Sequence, residues 1–290
     1  MFLLDHLLRI MRSARNDRGA DALTEAALRA LGENNDSVAV AAAVEHQRQS
    51  KPDHFGLAYV AGLLAEFQAS QRPWNQRTPC LKRAVVSYAR AAELAEQGKV
   101  DGARLVGDVH DPRWSNRLPL AERALAAASF QAGRLLTADF RVRDPARAII
   151  FLRQAVDRSP GYHPARYYLG EAYLLNGQFD AAEKAWRDAL CLAPDEPALL
   201  AVLANLPADR VHHAVRAKDW PTVLRELARL PAGALPESER RTIEGDAYAA
   251  LGQFDAARRA WQSALAADHL VVGVRRRLRR LDRSRIGGVL

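Results

Sequence analysis

Eight histidines, two cysteines and scattered carboxylates are the residues whose types could do chemistry in this chain. The histidines are His6, His46, His54, His110, His163, His212, His213 and His269, and none belongs to a His-Glu-x-x-His pattern. His212 and His213 are adjacent, so on a helix they point to different sides and cannot share one metal ion. Cys80 and Cys191 are too far apart in sequence to supply the close pair of a structural zinc site. Gly98-Lys99-Val100 lacks both the preceding glycine and the following hydroxyl of a phosphate-binding loop. There is no Gly-x-Ser-x-Gly elbow to activate a serine. The expectation is no catalytic residue, no metal and no cofactor: this chain reads as a non-enzyme.

The elements that must carry any site come from 290 residues, 49% hydrophobic and 26% charged, enough for one large domain or two ordinary ones. With Gly 17 and Pro 14, a collagenous or low-complexity chain is excluded. The longest apolar run, Phe55 to Ala65, covers 11 residues, short of the roughly 18–20 that span a bilayer. In the first residues, Asp5, His6 and Arg9 interrupt the apolar segment, and no small-residue cleavage site follows closely. Two isolated cysteines make no disulfide framework, so a reducing, cytoplasmic location is expected.

The basic balance is local. Lys plus Arg is 42 against 34 acids, yet only five of these are lysine, so the Arg and Ala bias reflects a bacterial-like genome composition. From Val271 to Leu290 seven arginines face one acid, Asp282, which supplies +6 of the formal +8. The rest is nearly neutral, which argues against a surface that coats nucleic acid.

An internal repeat decides the fold. Over 170–190 against 245–265, 13 of 21 positions are identical, including Gly170/Gly245, Tyr173/Tyr248, Gly177/Gly252, Phe179/Phe254 and Trp186/Trp261. These segments resemble the tetratricopeptide repeat, a helix–turn–helix unit of 34 residues. Leu169-Gly170 and Tyr173 match its first helix, Ala182, Trp186 and Ala189 its second, and Pro194 closes the unit. Small Gly170 and Ala182 let two helices approach while Tyr173 and Trp186 fill the volume beside them, and Gly177 suits a left-handed C-cap. Lys218-Asp219-Trp220 stands where Gly-Gln-Phe stands in its neighbours, 34 residues before Phe254 and 41 after Phe179. A degenerate unit therefore follows a seven-residue insertion within 197–203. Ala148, Leu152, Ala155 and Pro160 each precede their counterparts by 34, and Asp144-Pro145 reads as an N-cap with proline in the first turn.

The reading is all-α: a solenoid of paired helices in units 129–162, 163–196, 204–237 and 238–271. An irregular helical region covers 1–117, the repeat region 118–271, and a basic capping helix 272–290. In the first of these, Leu4, Leu7, Leu8 and Met11 form a stripe, Ala22 to Leu31 is a helix stopped by Gly32, and Asp36 caps the next. Pro52 opens a fourth helix, and Thr78-Pro79 starts one that runs to Gln97. Gly98-Lys99-Val100-Asp101-Gly102-Ala103 echoes the repeat turn, so decayed repeats are expected there. In the cap, Val271, Val274, Leu278 and Leu281 recur at helical spacing and cover the last repeat's apolar flank.

The resemblance implies a concave groove lined by set positions of each first helix, where a partner's extended segment or helix lies. Carried over by alignment, those positions include Phe130 and Phe140, then Tyr167, Glu171 and Leu174, then His212, then Asp246. Members of the family that clamp a peptide's terminal carboxylate use Lys and Asn there. Tyr167 with Glu171, and Thr242 with Asp246, suit instead a ligand with apolar anchors and a basic residue. The implied function is a scaffold or adaptor that binds one or more proteins as a subunit or assembly factor of a larger complex. The alternative partner is nucleic acid or an anionic membrane surface, met by Arg275, Arg276, Arg279 and Arg280 on the capping helix.

Overall fold

The computed structural model describes residues 17–32, 37–106 and 118–287. The stripe of Leu4, Leu7, Leu8 and Met11 and the cap at Asp36 lie outside those residues. Every α-helix of the described residues belongs to one of two compact units, Met1–Pro194 and Asp195–Leu290. The first unit holds α1 (Asp17–Gly32), α2 (Ser37–Ser50), α3 (Phe55–Ser70) and α4 (Thr78–Glu96). It continues with α5 (Leu120–Ala138), α6 (Pro145–Arg158), α7 (His163–Leu175) and α8 (Phe179–Leu192). The second holds α9 (Pro197–Ala217), α10 (Trp220–Arg229), α11 (Glu237–Ala250), α12 (Phe254–Ala267) and α13 (Val274–Gly287). The fold is an all-α solenoid of paired helices with a separate terminal helix.

In the first unit α1 and α2 pack on α3, and from α3 to α8 each helix packs on the next. One continuous apolar core runs from Phe55 to Ala185, and a smaller cluster of Leu23, Val40, Val44 and Leu64 joins α1, α2 and α3. In the second unit Val211, Val223 and Leu227 seal α9 to α10 and α11. Trp261 packs with Val274 and Leu281. No helix of the described residues is long and apolar enough to cross a membrane.

What sets helix spacing is a small residue facing a large one. A Cβ on Gly170 would lie 2.2 Å from Trp186 Nε1, and one on Gly245 would lie 2.4 Å from Trp261 Cδ1. Both indoles are buried, so the glycines are the space they occupy. The same contact recurs where the sequence is far less regular: a Cβ on Gly62 would sit 2.6 Å from the Tyr88 ring. The α3–α4 pair thus makes the contact of a repeat inside the region where decayed repeats are expected, and Gly98–Ala103 follows it. That segment forms a turn and a short 3-10 helix, Ala103–Leu105, whose Asp101 carbonyl accepts from Gly56 N–H at 2.8 Å.

Two added stretches bear on register, the first expected from the sequence and the second not. The insertion expected in 197–203 extends α9 at its N-terminal end, giving a 21-residue helix. Seven residues make about two turns, so the facing side is kept: Val211 and Leu227, each 41 after Gly170 and Trp186, are both buried. In the first repeat α5 ends at Ala138, and six residues rather than three lead into α6. Its helix is therefore three residues out of the expected phase, and Gly133, not Leu136, meets Leu152, with a Cβ-to-Cγ distance of 2.5 Å.

The caps also divide. Asp144 accepts from Arg147 N–H, as expected, and Gly177 takes φ 74° after the end of α7. The helix expected to open at Pro52, however, is α3 and opens at Phe55, where the buried His54 Nδ1 accepts from Leu57 N–H at 3.2 Å. Thr78 is already helical, since a 3-10 turn at Trp74–Gln76 runs directly into α4 and Arg77 takes the cap position.

Two outcomes follow. Gly62→Ala is expected to lower stability by about 1–3 kcal/mol through overpacking against Tyr88, and Trp186→Ala by about 3–5 kcal/mol, both read by urea unfolding. Losses under about 1 kcal/mol at both positions would contradict the shared contact. Burial holds the His54 imidazole below its ordinary value of 6.5, against the opposing pull of Asp21 and Asp101. The unfolded chain therefore takes up the proton first, so the stability linked to His54 is intact above pH 6.5 and erodes as the pH falls below it. Unfolding curves at a series of pH values should show that slope, and His54→Asn, which caps without titrating, should flatten it.

Candidate functional site

Tyr167, Glu171 and Leu174 stand at i, i+4 and i+7 of α7 and so share one face. All three are partly exposed, while Ala165, Leu169, Gly170 and Ala172 on the other sides are buried. The face is held from behind: Trp186 Nε1 donates to the Tyr167 carbonyl at 3.0 Å. Tyr167 also meets the Tyr168 ring edge-on at 5.3 Å. The backbone that presents these side chains is therefore fixed by the same indole that sets the helix spacing.

Towards α5 the surface changes character. Phe130 is only 7% exposed, and its ring meets Tyr162 edge-on at 5.1 Å and Tyr168 at 5.8 Å. It belongs to the core. The three-residue phase difference brings Arg134 to the place that Glu171 holds on α7. Arg134 donates to both Glu66 oxygens at 2.7–2.8 Å, and Tyr88 donates to the same carboxylate at 2.7 Å. Burial, reinforced by the Glu66 charge, pushes the Tyr88 phenol well above its ordinary range, so it remains a donor. This cluster ties α3, α4 and α5 together, and sequence reading missed it because Glu66 and Arg134 are 68 residues apart.

Phe140 is not on a helix at all. It sits 65% exposed in the connection after α5, with the Arg141 guanidinium 4.4 Å over its ring. Arg141 also pairs with Asp139 and donates to the carbonyl of Trp74, which is itself 71% exposed. One arginine thus joins two exposed aromatic residues, Phe140 through its ring and Trp74 through its carbonyl. Only half of that arrangement was legible, because Trp74 stands outside any repeat.

In the second unit His212 Nε2 lies 3.2 Å from Glu239 Oε1, linking α9 to α11. Asp246 is engaged from two sides. Its carboxylate accepts from Trp261 Nε1 at 3.1 Å and pairs with Arg277 of α13 at 2.7 Å. The basic residue that this acid suits is therefore supplied by the capping helix itself. Val274 and Leu281 are buried against the last pair, with Val271 and Leu278 half-buried beside them. Arg275, Arg276, Arg279 and Arg280 are all exposed. Among the described residues no cluster of His, Cys, Asp or Glu is arranged to hold a metal ion.

Residues 140–206 match the family described as tetratricopeptide repeat. No curated protein sequence matches the chain. Among solved structures, it is similar to MamA, with 15% identity over 81% of this chain and 90% of that one at a TM-score of 0.37. PilW, a type IV pilus biogenesis factor, is 15% identical over 89% of this chain and 97% of its own, with a TM-score of 0.42. A thermophilic tetratricopeptide-repeat protein of Thermus thermophilus is 18% identical over 92% of this chain and 98% of its own, with a TM-score of 0.29.

The packing of α13 separates its two sets of residues. Leu281→Ala is expected to lower the stability of the Asp195–Leu290 unit by about 2–4 kcal/mol. Replacing Arg275, Arg276, Arg279 and Arg280 together by glutamine should leave the thermal midpoint within error of the parent, because solvated charges contribute little. A large drop in the glutamine variant would assign those arginines a structural role.

Proposed function

Because the chain belongs to the tetratricopeptide-like repeat family, we propose that it is a non-enzymatic scaffold or adaptor that binds protein partners. In this reading it serves as a subunit or assembly factor of a larger complex in the cytoplasm. Stacked helix pairs build an extended surface and no enclosed catalytic cleft. The observation that carries the proposal is the α7 face: Tyr167, Glu171 and Leu174 are side by side and partly exposed on backbone that Trp186 fixes. A preformed surface loses little entropy on binding. Its chemistry suits a segment with apolar anchors beside Tyr167 and Leu174 and a basic residue near Glu171.

A second reading rests on the four exposed arginines of α13, which would dock an anionic polymer or lipid surface through charge alone. The two readings separate in one experiment. A pull-down from native lysate, with and without nuclease, is expected to retain the main protein partner after nuclease treatment. Tyr167→Ala with Leu174→Ser should release that partner while circular dichroism stays unchanged. Loss of the complex on nuclease treatment would favour the arginine helix, and unchanged binding by the folded double variant would remove the α7 face.

A further inference from the structure

α2 is apolar on two sides. Val40, Ala43 and Val44 point into the core, Ala41 packs beside them, and Val38 and Ala42 are exposed on a second side. Val38 is 68% exposed. Here the second side forms one wall of a cleft of about 950 Å³ within the first unit.

Three helices build this cleft, each with one face. Val38, Ala41 and Ala42 stand on α2, Ala61, Leu64 and Ala65 form the floor on α3, and Val86 stands on α4. Four of these seven are alanine, so an incoming helix backbone meets little side-chain bulk along the trough. The lining on α2 runs from Val38 to Arg48, a wall about 16 Å long. The cleft lies between second helices of successive pairs, α2 and α4, and is separate from the α7 face.

The rim has a sign. Arg72, Lys82 and Arg83 are exposed along it, and Arg48 is turned to Glu45, the single acid of the lining. That leaves a surplus of +3, from four cations and one anion. Outside 271–290 the chain has a net +2, so this rim is a concentration of charge and not a sample of the average. An apolar, alanine-lined trough with a cationic edge is complementary to one kind of occupant.

We propose that the cleft between α2 and α4 docks an amphipathic helix of a partner protein, about three turns long, with a small apolar seam flanked by Asp and Glu. This rests on the scaffold reading given above and adds a second surface to it, with its own partner chemistry. The floor takes the seam between Leu64 and Val86, while Arg72, Lys82 and Arg83 meet the acidic flank. Arg48 remains with Glu45 and closes the near end.

Two synthetic helical peptides test this on the full chain, with the same Ala/Leu seam and either Glu or Lys flanks, by fluorescence anisotropy. The Glu-flanked peptide is expected to bind at least about tenfold more tightly. Lys82→Glu with Arg83→Glu should reverse that preference, and Val86→Asp should abolish binding of both peptides. These three residues are exposed, and circular dichroism should confirm that the variants fold. Amide exchange should show the Glu-flanked peptide protecting 38–48 and 82–87. Tyr167→Ala with Leu174→Ser should leave peptide binding intact, so failure at α7 and failure at the cleft are told apart. Equal affinity for the two peptides, or binding indifferent to Val86→Asp, would overturn the proposal. So would a photo-crosslinker at position 86 that couples, without peptide, to residues 1–16 or to a second copy. Tighter binding of anionic vesicles or duplex RNA, lost in the charge-reversed variant, would replace the helix by a polyanion.

Discussion

Wherever a glycine of a first helix faces a large side chain of the second, the two backbones come close enough that no Cβ fits between them. Gly170 with Trp186 and Gly245 with Trp261 are the clearest cases, and Gly133 with Leu152 and Gly62 with Tyr88 repeat the arrangement with smaller or differently shaped partners. The remaining features depend on this contact. It sets the helix spacing and, where the partner is tryptophan, buries the indole and aims its N–H at the surface-bearing helix. In one repeat that N–H fixes the Tyr167 carbonyl, and in its near-twin it fixes Asp246. The α9–α10 pair shows that bulk can be redistributed: Val211 and Leu227 share between two helices the volume that Gly and Trp concentrate on one.

How much could be read in advance follows from how the contact is encoded. In 163–196 and 238–271 it uses glycine and tryptophan 16 residues apart, a rare pair at a fixed spacing, and the fold is legible there. Gly62 and Tyr88 are 26 residues apart, because α3 runs on and a 3-10 turn intervenes before α4. The same physics is present without the same spacing, so periodicity alone passes over it. The insertion before the degenerate unit was readable because about two whole turns preserve the facing side. The three extra residues after α5 were not, since three residues fall short of a turn and rotate every later assignment on that helix.

The groove positions divide along the same line. Tyr167, Glu171 and Leu174 stand on one helix face because they belong to the best-matched repeat. Phe130 and Phe140 were assigned on a phase that the longer connection cancels, and they stand in the core and in a turn. The engagement of Asp246 depends on Arg277, 31 residues further on, and that of Glu66 on Arg134, 68 residues away. Ion pairs over such separations are settled by packing, and local pattern carries no trace of them.

Charge then distinguishes the surfaces that packing leaves open within the first unit. The α7 face carries Glu171 between two apolar side chains, whereas the α2–α4 cleft carries Arg72, Lys82 and Arg83 around an alanine floor. A segment basic enough to suit the first is repelled by the second, and an acidic helix has the opposite preference. On the proposed reading the two surfaces would select different segments and would not compete for one. A single-groove binder has no use for an apolar second side on α2. A scaffold that holds two unlike segments at once does, and the wall of α2 that faces away from its own core is where such a chain would give up stability for a second attachment.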